Sequence, residues 1–223
     1  MKRVAIFLSI FTSFLIALNN DKPNFKNLNF RFIGPDGNRA IAISGVSSDH
    51  NTYYVGAASG GLFKTTNKGI SWEPIFDDQD VSSVSAIAIS QKNPNIVWAG
   101  TGETFLIRPA HAIGDGIYKS EDGGNTWKNM GLQKTARIAK IVIHPKNDKI
   151  VYVAALGHTF GPQEDRGIYK TTNGGKTWKK ILFIDQNTGG IDIALDRKNP
   201  NFLIASMWEI YINTWGLNSG GES

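Results

Sequence analysis

No cysteine occurs anywhere in this chain. That excludes disulfide staples, thiolate metal sites and a lipid-modified cysteine. Histidine is scarce, with four residues and no paired ligand spacing, so no metal is expected. There is no phosphate-cradling glycine loop and no nucleophile elbow, so no cofactor is expected either. Helix-rich runs of Ala, Glu and Leu are missing. Concentrated positive charge is missing as well. The net charge of +5 falls to +3 without Lys2 and Arg3, and the other basic residues are dispersed. A nucleic-acid footprint needs a dense basic patch, so nucleic acid is excluded as a partner.

Only one long apolar run is present, the fifteen residues from Val4 to Leu18 behind Met1-Lys2-Arg3. It is too short for a comfortable membrane span and reads as a secretory signal peptide over residues 1–20. Its small-residue cleavage site lies around Ala17-Leu18-Asn19-Asn20. The expected location is exported: periplasmic, cell-surface or extracellular, with no membrane span after signal removal.

What the chain does have is a repeat. Glycine is abundant at 24 residues and aromatics make up 11%, a composition suited to many short strands and turns. Three near-copies of one turn recur: Thr65-Thr66-Asn67-Lys68-Gly69-Ile70-Ser71-Trp72, Ser120 to Trp127, and Thr171 to Trp178. The tryptophans stand 55 and 51 residues apart. Before each turn comes Gly-x-aromatic-Lys, at 61–64, 116–119 and 167–170. Before that come two apolar stretches joined by a turn rich in Asn, Pro and Asp. Four short antiparallel strands repeated at about fifty residues predict a β-propeller blade.

The fold class is therefore all-β: a β-propeller of four-stranded antiparallel blades, present as an incomplete arc of about three and a half blades. The expected blades span roughly 40–77, 84–131, 138–184 and an incomplete 191–223, within a domain of 21–223. Residues 191–206 supply two strands of the fourth unit, and Trp215 to Ser223 reads as a long loop ahead of its third strand. The next turn motif is due near 224–228, so the chain reads as an N-terminal fragment whose missing blades lie elsewhere in a longer protein.

The turn has its own physics. The side-chain oxygen of Asn67, Asp122 or Asn173 can accept backbone N–H bonds. Gly69, Gly124 and Gly175 supply positive φ. Trp72, Trp127 and Trp178 bury a large ring. Two of the three copies carry neutral Asn, so the position is a fold element rather than a catalyst or calcium ligand. The pattern S/T-x-D/N-x-G-x-T/S-W resembles the Asp-box, or bacterial neuraminidase repeat. With the flanks Phe32-Ile33-Gly34-Pro35, Ala99 to Glu103, Ala154 to His158 and Met207-Trp208-Glu209, the chain resembles exported bacterial propellers of the sortilin N-terminal and xyloglucanase-like type. That resemblance covers residues 30–223 and implies a ring of about ten blades.

Strand alternation puts the connections between second and third strands on one face, and their lengths vary there. That face carries Glu103 and Glu209 at equivalent positions two units apart, with His158 near the corresponding place. Arg108, His111, Asp115, Glu164, Asp165, Arg166, Trp208, Tyr211 and Trp215 share the same loops. Aromatics and carboxylates near an axis suit a glycan. Glu103 and Glu209 are the catalytic candidates; His158, Trp208 and Arg108 are the binding candidates. Arg31, Arg39, Arg108, Arg137 and Arg166 show no spacing that singles out the arginine cluster of a sialidase. The expected function is a scaffold that binds a protein, peptide or polysaccharide on the long-loop face. The alternative is a propeller-type glycoside hydrolase.

Overall fold

The computed structural model describes residues 34–35, 39–104, 112–158, 160–213 and 215–221. The signal-peptide reading, Arg31, Arg108 and His111 lie outside the described residues. Among the described residues, fifteen strands form four antiparallel sheets. The first sheet is β1 (Ala40–Gly45), β2 (Tyr53–Ala57), β3 (Leu62–Thr65) and β4 (Glu73–Pro74). The second is β5 (Val84–Ile89), β6 (Val97–Thr101), β7 (Ile117–Ser120) and β8 (Lys128–Asn129). The third is β9 (Ile138–Ile143), β10 (Val151–Ala155), β11 (Gly167–Thr171) and β12 (Lys179–Leu182). The fourth has three strands, β13 (Thr188–Leu195), β14 (Leu203–Ile212) and β15 (Leu217–Gly220). Every sheet is a meander in chain order, and the innermost strands β1, β5, β9 and β13 touch one another in succession. This is a β-propeller arrangement, and the sheets are its blades.

Register explains how the blades stack. Cross-strand partners share a face of their sheet. Ser44 lies opposite Tyr54, which lies opposite Lys64. The same level is Ala88, Trp98 and Lys119 in blade 2, and Val142, Tyr152 and Lys170 in blade 3. These faces look toward the next blade. Tyr54, Trp98 and Tyr152 are each at most 7% exposed. The opposite faces carry Ile87, Ile141 and Ile193 on the inner strands of blades 2, 3 and 4. Tyr54 clusters with Ile87, Ala99 and Tyr118; Trp98 with Ile141, Val153 and Tyr169; Tyr152 with Ile193 and Ala205. Fully burying one such side chain contributes about 1.5–3 kcal/mol, so these layers are the main cohesion of the arc. Lys64, Lys119 and Lys170 lie over the three rings at 5.6, 5.6 and 5.2 Å, adding a cation–π contact in each unit.

The three turns share one hydrogen-bond plan. In the second, Ser120 Oγ accepts from Gly124 N–H at 2.8 Å and Asp122 Oδ1 accepts from Thr126 N–H at 2.9 Å. Asn67 Oδ1 accepts from Ser71 N–H at 2.9 Å, and Asn173 Oδ1 from Thr177 N–H at 3.0 Å. Each turn ends in its tryptophan, and two of these reach backward. Trp127 Nε1–H donates to the Ile75 carbonyl of blade 1, and Trp178 Nε1–H to the Met130 carbonyl of blade 2, at 2.7 and 2.8 Å.

The fourth unit differs from expectation. Its second strand does not stop at Ser206 but runs to Ile212, so Glu209 is a strand residue paired with Thr188 and Gly220. The stretch after Trp215 is not an irregular loop: β15 turns back on β14 through Asn213, whose Oδ1 accepts from Trp215 and Gly216 N–H. The alternation Trp208, Ile210, Ile212 against a Gly-Leu-Asn-Ser-Gly return makes a hairpin cheaper than an open loop, because it satisfies the backbone in pairs. This hairpin pairs only with 209–212. Elsewhere the third strand pairs beside the equivalents of Leu203–Ser206, as Gly56 with Leu62, Gly100 with Ile117 and Ala154 with Ile168. Opposite Leu203–Met207 no third strand is present among the described residues.

Candidate functional site

Two regions of the arc carry polar chemistry, one at each end of the inner strands. At the long-loop end, arginines link neighbouring blades. Arg39, just before β1, forms an ion pair with Glu103 of blade 2, whose side chain is 5% exposed. Arg137, just before β9 and 1% exposed, donates from Nε to the Glu103 carbonyl at 3.0 Å and from Nη1 to the Gly157 carbonyl at 3.4 Å. Arg166, just before β11 and fully buried, donates from Nη1 to the carbonyls of Asn187 and Ile210 in blade 4 (3.1 Å to Ile210) and from Nη2 to that of His158.

Burial sets the electrostatics of this layer. It pushes Arg137 down to about 10, against the opposing pull of Glu103 and with a further push from Arg166. Arg166 is lowered by burial too, while Asp185 and Glu209 oppose the fall. His158 is held below its ordinary value first by burial and then by Arg137 and Arg166, so it is neutral beside these cations. Arg39 through its ion pair with Glu103, and Arg137 and Arg166 through backbone carbonyls, bind the blades together.

The candidates fall differently in this frame. Glu103 is buried with its carboxylate taken by Arg39. Glu209 is half-buried in β14. The structure places them on different arginines, with blade 3 supplying Arg137 and Arg166 between them. Trp208 is half-buried and donates from Nε1 to Ser219 Oγ at 3.3 Å. Trp215 is 93% exposed. Asp115 accepts from the Tyr118 hydroxyl at 2.6 Å, and the carbonyls of Glu164 and Asp165 accept from Lys180 Nζ and the Tyr169 hydroxyl, all within blades.

The second region was not singled out in the sequence. A groove of about 520 Å³ runs along the concave side of the arc, at the end bearing the turns between first and second strands. Ser44, Ala88, Ile141 and Ile193 line it from four different inner strands. Two cationic residues and a histidine join them: Lys140, Arg197 and His144. Lys140 meets Asp192 at 3.4 Å, both well exposed. His144 Nδ1 accepts from Lys146 N–H at 3.1 Å, which leaves Nε2 as its protonated, donating nitrogen. Apolar walls with convergent cationic donors suit an elongated ligand carrying a carboxylate or other anionic group. The signal in the sequence was that Lys140 lies in an inner strand and His144 and Arg197 just after two; their convergence depends on blade curvature.

Comparison with known proteins follows this geometry. The sheets and their interfaces define the class, a β-propeller. The family model for sortilin (Sortilin-Vps10; sortilin, neurotensin receptor 3) matches residues 115–216. A probable oligoxyloglucan-reducing end-specific xyloglucanase of Neosartorya fischeri is 25% identical over 153 residues, covering 66% of this chain and 16% of that protein. The solved structure of an ancestral GH74 enzyme superposes with a TM-score of 0.60 at 25% identity, over 80% of this chain and 23% of the enzyme. The Niastella koreensis GH74 enzyme gives 0.55 at 19% identity, over 81% and 30%, a likeness of fold. The particular kind is thus a sortilin- and xyloglucanase-like propeller. The chain spans under a third of each of these relatives.

Proposed function

We propose that this chain is the ligand-binding arc of an exported, sortilin-like Asp-box propeller, and the N-terminal part of a longer protein. The ligand is a protein, peptide or glycan segment bearing an anionic group. The observation that carries this reading is the concave groove, where Lys140, His144 and Arg197 from two blades line an apolar cleft. The empty third-strand level beside Leu203–Met207 supports the longer chain, since an unpaired strand edge is a template for a further strand. The sortilin-model match and the apolar run at the N-terminus support export.

The test is binding of fluorescent acidic, neutral and basic peptides and of charged oligosaccharides, read by anisotropy. Acidic probes bind best, and Arg197→Glu with Lys140→Glu weakens them by about tenfold or more. Unchanged binding by this double variant sinks the groove reading.

A second reading is a propeller-type glycoside hydrolase, favoured by the xyloglucanase relative. It is tested by release of oligosaccharides from xyloglucan with Glu209→Gln alongside. Glu103 enters this reading poorly, because its carboxylate is buried and ion-paired with Arg39, out of a substrate's reach.

A further inference from the structure

One position recurs where each inner strand enters its turn. Its N–H bonds across to the residue that leads into the second strand: Val46 to the Thr52 carbonyl, Ser90 to Ile96, His144 to Ile150 and Asp196 to Phe202. In three blades its side chain also caps the turn. Ser90 Oγ accepts from Lys92 and Asn93 N–H at 3.1 and 3.0 Å. Asp196 Oδ1 accepts from Lys198 and Asn199 N–H at 2.7 and 3.1 Å. His144 Nδ1 accepts from Lys146 N–H at 3.1 Å. Pro145 has no N–H, so Lys146 is the first donor past the histidine. Serine and aspartate oxygens accept throughout the neutral range. An imidazolium carries hydrogen on both nitrogens and accepts nothing. Blade 3 thus caps its turn with an acceptor that a proton removes. Of the three caps, His144 is the one that lines the groove.

We propose that His144 makes the groove pH-sensitive: its protonation releases the Lys146 bond and adds a positive charge beside Lys140 and Arg197, so an anionic ligand is held more tightly in mild acid. The proposal rests on the reading of the groove as the ligand site. The surroundings set the sign. β1, β5 and the turn after β5 present neutral side chains to the groove, Ser44, Ala88, Ile89 and Gln91. β9 brings Lys140, and the turn after β13 brings Arg197. Among the described residues no carboxylate lines the groove. Asp192 meets Lys140 at 3.4 Å, but both are well exposed and solvent screens the pair. Asp148, in the same turn as His144, is taken by Ser90 Oγ at 2.7 Å, and Lys92 Nζ donates to the Lys146 carbonyl at 3.5 Å. No lining carboxylate offsets the added charge, and a charged donor binds an anion more strongly than a neutral one. The turn's other bonds bypass the imidazole: Asn147 N–H donates to the His144 carbonyl at 3.2 Å and Ile150 N–H to the Asn147 carbonyl at 3.0 Å. The ring is freed while the turn persists.

The test titrates the 223-residue chain with a rhodamine-labelled acidic peptide, read by anisotropy from about pH 8 to about pH 5.5, the range in which histidine side chains gain charge. The peptide's carboxylates stay ionised throughout. Affinity is expected to rise about threefold to tenfold on acidification. In His144→Asn the rise is expected to vanish, because the amide oxygen can cap Lys146 N–H but takes up no proton in this range. His144→Ser, which copies Ser90, is expected to do the same, so the result does not hang on one variant. The other three histidines remain in both variants, so the difference belongs to His144. Nitrogen NMR shifts of the His144 ring are expected to show hydrogen on Nε2 alone at the upper pH and on both nitrogens in acid. An equal rise in the parent and both variants overturns the switch and leaves the groove reading standing. So does a parent whose affinity does not rise. A peptide that binds at neither pH, or whose binding is unchanged by Arg197→Glu with Lys140→Glu, sinks the groove reading and the switch together.

Discussion

Gly175 lies under the ring of Trp98: a methyl group added at its Cα would stand 2.6 Å from the Trp98 Cη2 atom. Gly175 belongs to the turn of blade 3 and Trp98 to the second strand of blade 2. The turn also holds Gly175 at φ +91, where other residues are strained. Gly175→Ala therefore incurs both backbone strain and a clash in a packed interface. The expected loss is about 2–4 kcal/mol of unfolding free energy in urea titration. Gly174→Ala meets nothing closer than 3.9 Å, so at φ +71 it costs only the smaller backbone share, about 1 kcal/mol.

Asp122 is expected to behave as a turn residue. Its Oδ2 accepts from the Thr126 hydroxyl at 2.6 Å, whereas Asn67 and Asn173 donate from Nδ2 to Ser71 and Thr177 at 2.8 Å. A hydroxyl serves either way, so Asp122→Asn keeps the neutral-pH melting temperature and Asp122→Ala lowers it. In acid the two acceptable residues part. The Thr126 hydroxyl and N–H hold Asp122 down at about 2, below its ordinary 3.8. Its stabilisation is present above 3.8 and is lost as pH falls through about 2. The Asn variant lacks this acid-sensitive share, which parallel melts between neutral pH and pH 2 can detect.

Alkali is expected to loosen the blade interfaces. Burial raises Tyr54, Tyr118 and Tyr169 from 10 to about 12, and Asp115 adds to the shift at Tyr118. The unfolded chain ionises these phenols first. Stability is thus complete below pH 10 and falls as pH rises toward 12. Tyr54→Phe should flatten that fall, at the cost of the hydroxyl's bond to the Gly123 carbonyl of the next blade at 2.9 Å. Melting temperatures from pH 8 to 11 decide it.

Arg166→Met is expected to cost about 2–4 kcal/mol, because three carbonyls from two blades lose a buried charged donor. Arg166→Lys should not rescue the loss. One ammonium cannot span acceptors set for a planar fork. Equal stability of the Lys variant and the parent would refute the stapling role.

The sequence exposed the parts of the fold that repeat. Val84–Ile89, Ile138–Ile143 and Tyr53–Ala57 are strands with the limits their pattern predicts, because apolar alternation bounded by Asn and Pro leaves little choice. The fourth unit was legible only as far as it copied the others. Leu217–Gly220 lacks the Gly-x-aromatic-Lys signature, and nothing local reveals that β14 carries on past Ser206. The arginines were seen and their role was not. Arg39 and Arg137 precede inner strands while Arg166 precedes a third strand, so the three converge through packing and show no period. The groove was hidden for the same reason: Lys140, His144 and Arg197 share no motif, and only the curvature of the arc brings them to one cleft.

The single-file stacking of the blades has a kinetic consequence. Substantial contacts between sheets join neighbours only, first to second, second to third, third to fourth. Among the described residues, blades 2 and 3 are clamped on both sides, and blades 1 and 4 on one side. Such a chain unravels as a zipper does, from the loosely held outermost tooth inward. Opening of blade 4 would leave a remnant whose outermost surface presents Tyr152, the ring that β13 covers.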